Sequence, residues 1–187
     1  MNRYFLAGLL LCALISHSFA QTAVPKLTPF EEFAGSINAA VSFELKIGVI
    51  ESSDANVTLN VLVIEDTADS SREMRGIRVD LADNSGMDKV YLDESQIDEL
   101  LRELARMEAI ASRPKREGGA VYTIHGTESC WMPDPAYRIL CPGYRIGPGW
   151  PGFTLAAYGG HTFELPEHTP SEFAKLLESA AEELADR

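Results

Sequence analysis

Twice in this sequence a block of β-branched, strand-like runs is followed by a long apolar stripe at helical spacing, and that order constrains the fold more than any other feature. The stripes are Ile97, Leu100, Leu101, Leu104, Met107 and Ile110, and then Phe173, Leu176, Leu177, Ala180, Ala181 and Leu184. Residues three and four apart share one face of a helix, so each stripe has to be buried against another element. The preceding runs supply it. Lys46–Glu51, Val57–Glu65, Met74–Leu81 and Lys89–Leu92 come before the first stripe. Ala120–Gly126, Tyr137–Cys141, Phe153–Tyr158 and His161–Leu165 come before the second. Strands first and a helix after them predict an α+β fold, with antiparallel sheet or sheets carrying helices on one face.

Local signals punctuate these elements. Thr28-Pro29-Phe30-Glu31 reads as a capping box with proline inside it. Phe30, Phe33, Ala34, Ile37, Ala40 and Val41 then follow at helical spacing and predict a first helix of about three turns. Ser52–Asn56 is a polar break suited to a hairpin, Asp66–Arg72 reads as a loop, and Asp83-Asn84-Ser85-Gly86 is a turn. Asp93 and Gln96 open the second helix, and Arg113-Pro114 closes it. Gly159-Gly160 marks another hairpin, and Thr169-Pro170-Ser171-Glu172 a second capping box.

Val90-Tyr91-Leu92-Asp93-Glu94 leads into one helix as Phe163-Glu164-Leu165-Pro166-Glu167 leads into the other. The sequence therefore predicts one domain over residues 21–187, built as a duplicated ββββα unit over about 42–113 and 119–187 after an N-terminal helix. This layout is similar to the single-strand nucleic-acid-binding repeats of the purine-rich-element type. The resemblance is one of plan, and it implies a duplicated four-strand-plus-helix unit.

Charge argues against carrying that activity over. The chain has 16 basic and 28 acidic residues, a net −12. A field of that sign repels phosphate backbones and anionic lipid surfaces, so the sequence predicts no nucleic-acid partner. Residues 1–20 read as a signal peptide: Arg3 is the one charge, Phe5–Ile15 is the apolar run, and Ser18-Phe19-Ala20 offers a cleavage site. Export to a periplasmic or extracellular space is expected. The apolar run is shorter than the roughly twenty residues a membrane-spanning helix needs, and no later run is longer, so no span is expected in the mature chain.

In an oxidising compartment Cys130 and Cys141 predict one disulfide. The segment 130–158 holds both tryptophans. Aromatic and arginine side chains there, Trp131, Tyr137, Arg138, Tyr144, Arg145 and Trp150, interleave with a Pro/Gly-rich run, a composition suited to a recognition loop. A thiol nucleophile would need Cys130 reduced and paired with His125, or with His161 oriented by Glu164. A zinc site from His125, Cys130, Cys141 and His161 lacks the closely spaced ligand pairs such sites use. Carboxylate neighbours such as Glu65/Asp66, Asp93/Glu94 and Glu164/Glu167 are uninformative in so acidic a chain. There is no phosphate-binding loop, dinucleotide fingerprint or Gly-x-Ser-x-Gly, so neither metal nor cofactor is expected. Asn56-Val57-Thr58 matches the N-glycosylation acceptor pattern. The sequence thus points to a non-enzymatic binding domain for a protein or small molecule. The alternative is a small exported hydrolase using Cys130 or a carboxylate pair.

Overall fold

The computed structural model describes residues 27–112, 122–125, 140–146, 152–157 and 161–187. The fold is α+β, with two antiparallel sheets and three helices. After a short helix α1 (Pro29–Ala34) come β1 (Ala39–Glu51), β2 (Ala55–Asp66), β3 (Asp69–Asp83) and β4 (Met87–Leu92), then α2 (Glu94–Ala111). The second half has β5 (Tyr122–His125), β6 (Leu140–Ile146), β7 (Gly152–Ala157) and β8 (Thr162–Leu165), then α3 (Thr169–Ala185). Each sheet is a simple meander, β1-β2-β3-β4 and β5-β6-β7-β8.

The turns are built by side chains. Ser52 Oγ donates to the Ala55 carbonyl at 2.7 Å and accepts from its N–H at 2.9 Å, closing the first hairpin. Asp83 Oδ1 accepts from the Ser85 and Gly86 N–H groups at 2.6 and 2.9 Å, closing the third. Both are the Ser and Asp turn chemistry expected between hydrophobic runs.

Alternation then sorts the faces. Val57, Leu59 and Val61 of β2 and Ile77, Val79 and Leu81 of β3 point into one core. The same core takes Phe153, Leu155, Phe163 and Leu165 from the second sheet, and Leu104, Met107, Phe173 and Leu177 from the two long helices. Each fully buried Leu, Ile or Phe stabilises the fold by about 1.5–3 kcal/mol in transfer terms, so this shared cluster holds the two halves together. The helices are exchanged. Helix α3, which follows the second sheet, lies on β1 and β2 of the first, whereas α2 lies on β6 and against α3. Gly48 of β1 makes room for this: a Cβ there would fall 2.5 Å from Leu176 Cδ2 of α3.

Several expectations are corrected. The first helix stops at Ala34, and Ala39–Val41 open β1 instead, paired with Asp66, Glu65 and Ile64. Gly35 and Ser36 propagate a helix poorly, whereas the ladder to the long apolar β2 rewards extension; Ile37 is left 99% exposed. The Asp66–Arg72 loop shrinks to Thr67-Ala68, because Asp66 Oδ1 accepts from the Ala68 N–H at 2.9 Å and turns the chain at once. Thr169 does not cap α3. The helix begins at Thr169 with His168 as its N-cap, and the Thr169 Oγ1 is buried without a hydrogen-bond partner. The Thr169 N–H donates to the Pro166 carbonyl at 3.1 Å, which winds the chain one residue early.

The strand expected over Tyr137–Cys141 runs on to Ile146, so part of the Pro/Gly-rich run is sheet, and residues 137–139 lie outside the described residues. Pro142 stands opposite Leu155 of β7. The stripe on α2 is narrower than expected: Ile97, Leu100, Leu104 and Met107 are buried, and Leu101 is half-buried.

Candidate functional site

The best-built polar arrangement among the described residues lies on the outer face of the first sheet. Alternation places Leu62, Ile64, Asn60 and Thr58 on the face opposite the core. Helix α1 covers one end of it, packing Phe30 and Phe33 over Leu62 and Ile64. The capping box at Thr28 forms as read: Thr28 Oγ1 accepts from the Glu31 N–H at 3.0 Å, and Glu31 Oε2 accepts from the Thr28 N–H at 3.2 Å. Asp93 Oδ1 accepts from the Phe30 N–H at 3.2 Å and so ties α1 to the start of α2. Burial raises the Asp93 carboxyl above its ordinary value, and the Phe30 hydrogen bond offsets this in part.

Beyond Phe30 the face turns polar. The register sets Lys46, Asn60, Arg78 and Tyr91 side by side across the four strands, with Thr58, Asp80 and Lys89 in the next row. Arg78 Nε donates to Asp80 Oδ1 and Oδ2 at 2.9 and 3.1 Å, and its Nη2 donates to Glu44 Oε1 at 2.7 Å. Asn60 Nδ2 donates to Asp80 Oδ2 at 3.0 Å. Asn60 is 3% exposed, and the Arg78 and Asp80 side chains are 16% and 18% exposed. Burial pulls the Arg78 guanidinium down, yet the hydrogen bond and charge of Asp80, with those of Glu44, hold it above its ordinary value. The charge on Arg78 is thus balanced internally by two carboxylates. What remains outward is a stiff platform flanked by two exposed lysines, Lys46 and Lys89, and by half-buried Tyr91. Such a surface can orient hydrogen-bonding and acidic groups of a partner.

The residues singled out from sequence are dispersed. Tyr144 lies in β6, is 2% exposed, and donates from Oη to Glu167 Oε1 at 2.8 Å. Burial, followed by the Glu167 hydrogen bond and charge, raises its phenol well above the ordinary value. Tyr144 is therefore core. Arg145 is in β6, opposite Thr123 and Gly152. Cys141 is in β6, opposite Ala156, and half-buried. Cys130, Trp131, Tyr137, Arg138 and Trp150 lie outside the described residues. His161 is oriented by Asp83 across the two halves, with Nε2 to Oδ2 at 2.9 Å. Among the described residues no group of three or more His, Cys, Asp or Glu could hold a metal, and no helix is long and apolar enough to cross a membrane.

Sequence reasoning passed over the sheet platform. Its signal was Asn60, the polar residue interrupting the apolar run of β2, and the Arg78/Asp80 pair two positions apart on one face. Compared with known proteins, the chain matches no family model, no curated protein and no solved structure.

Proposed function

We propose that the chain is a non-enzymatic, exported interaction domain of the cell envelope or extracellular space, which binds a protein or small-molecule partner. The observation that carries this reading is the outer face of the first sheet, where Arg78, Asp80, Asn60 and Glu44 fix a polar platform between the exposed Lys46 and Lys89. A second contact surface is expected from Trp131, Tyr137, Arg138 and Trp150. Export rests on the signal-like residues 1–20. A bridge between Cys130 and Cys141 is part of this reading, supported by the oxidising compartment that export implies. The two ββββα halves read as repeats of one plan, supported by their matching strand order and exchanged helices.

Capture from an envelope extract tests the reading. Lys89→Glu and Trp150→Ala are each expected to abolish recovery of the partner captured by the wild-type chain while leaving the melting temperature nearly unchanged. Capture unchanged in both folded variants overturns the assignment of these surfaces. An alkylatable Cys130 thiol in the folded mature protein would instead favour the thiol-hydrolase alternative.

A further inference from the structure

We propose that the free edge of β1 is an interface with a second copy of this chain. Among the described residues β1 is the terminal strand of its sheet and pairs with β2 alone. It is 13 residues long, far longer than the short edges by which sheets avoid edge-to-edge association. Its exposure is also unlike that of its neighbour: Ala40, Val41, Ser42, Glu44 and Lys46 are exposed, and Phe43, Leu45 and Ile47 are only half-buried, whereas β2 is buried along most of its length.

The sequence of this edge is complementary to itself. An antiparallel pair centred on Leu45 sets Glu44 opposite the partner's Lys46, and Lys46 opposite the partner's Glu44. It also sets Leu45 against the partner's Leu45 at the symmetry axis. Opposite charges and apolar pairs directly across an antiparallel ladder are the contacts that stabilise it. Faces match as well, since Glu44 and Lys46 lie on the outer face while the half-buried Leu45 lies between them on the inner one. The register shifts around Ser42 and Ile47 bound the regular run Phe43–Lys46, and a slip by one residue within it would set outward Glu44 against inward Leu45. Lys46 has an exposed side chain, and Glu44 already bonds Arg78. The dimer would then link the two polar platforms through the partner's Lys46.

The dimer uses Lys46, which also flanks the polar platform, so self-association is read on the chain alone with no other partner present. Strand pairing by itself buries less than a standard interface, so the dimer should be concentration-dependent. Sedimentation equilibrium of the full mature chain near physiological salt, where the Debye length is about 8 Å, screens the net negative charge of the two copies while keeping contact pairs. The wild type is expected to dimerise, and Lys46→Glu to weaken dimerisation at least ~10-fold by setting like charges opposite each other. Mixing Lys46→Glu with Glu44→Lys should restore a heterodimer, because every facing pair is again of opposite charge. Should Glu44→Lys fail to fold after losing Arg78, Leu45→Cys keeps the test: at the symmetry axis it faces itself within disulfide reach and oxidises to a covalent dimer, while Val41→Cys does not. A wild type that stays monomeric across the series overturns the proposal. So does a dimer indifferent to Lys46→Glu and not cross-linked by Leu45→Cys.

Discussion

His161 Nε2 lies 2.9 Å from Asp83 Oδ2, and this contact ties the start of β8 to the turn between β3 and β4. The His161 N–H adds a second tie, donating to Asp88 Oδ2 at 2.9 Å. One strand of the second sheet is thereby fixed to a turn of the first at the surface. Burial would raise the Asp83 carboxyl, but the Ser85 and Gly86 N–H groups and His161 hold it below its ordinary value. A carboxylate depressed in the folded state stabilises at pH above the unfolded value of about 3.9, and that contribution is lost as pH falls through the folded value. The stability difference between wild type and Asp83→Asn should therefore be full at neutral pH and shrink below pH ~4. Denaturant midpoints across that range check it, and a difference independent of pH would show that Asp83 acts only by shape.

Gly76 and Gly48 separate two kinds of close approach. A Cβ on Gly76 would fall 2.6 Å from two Phe30 ring carbons and 2.8 Å from the Leu92 carbonyl, and neither ring nor backbone has room to move. Gly76→Ala is expected to destabilise by about 1–3 kcal/mol, the range for overpacking. At Gly48 the obstacle is the tip of the flexible Leu176 side chain, so Gly48→Ala should cost less. Thermal melts of the two variants test the order.

Leu177 is fully buried on α3, whereas Leu101 on α2 is only partly buried. Leu177→Ala should cost about 2–5 kcal/mol, and Leu101→Ala clearly less. Equal shifts in denaturant midpoint would show that the face of α2 turned to the core is assigned wrongly.

Tyr144 is held by its ring in the core and by its hydroxyl on Glu167. Tyr144→Phe keeps the ring and removes a bond to a charged acceptor, an expected loss of about 1.5–3 kcal/mol. Ultraviolet titration should show this phenol resisting ionisation until the protein unfolds, since burial and Glu167 both disfavour the phenolate. A normal titration in the folded state would place Tyr144 outside the core.

The sequence by itself determined the elements whose physics is local. Alternation in Ile77, Val79 and Leu81, the helical stripes ending at Met107 and Leu184, the Asp83 turn and the Thr28 capping box were legible because each needs only neighbours in the chain. Only the tertiary structure decided where competing local preferences would settle. Residues 39–41 suit a helix or a strand, and the ladder to β2 made them strand. Tyr144 in a Gly/Pro-rich run reads as loop, and the slot between the sheet and Glu167 made it core. The exchange of the two long helices between sheets and the meeting of Arg78 with Glu44, 34 positions away, are likewise tertiary facts. An amphipathic stripe specifies that a face be buried and not against which partner, and charged pairs far apart in sequence meet only once the strand register is fixed.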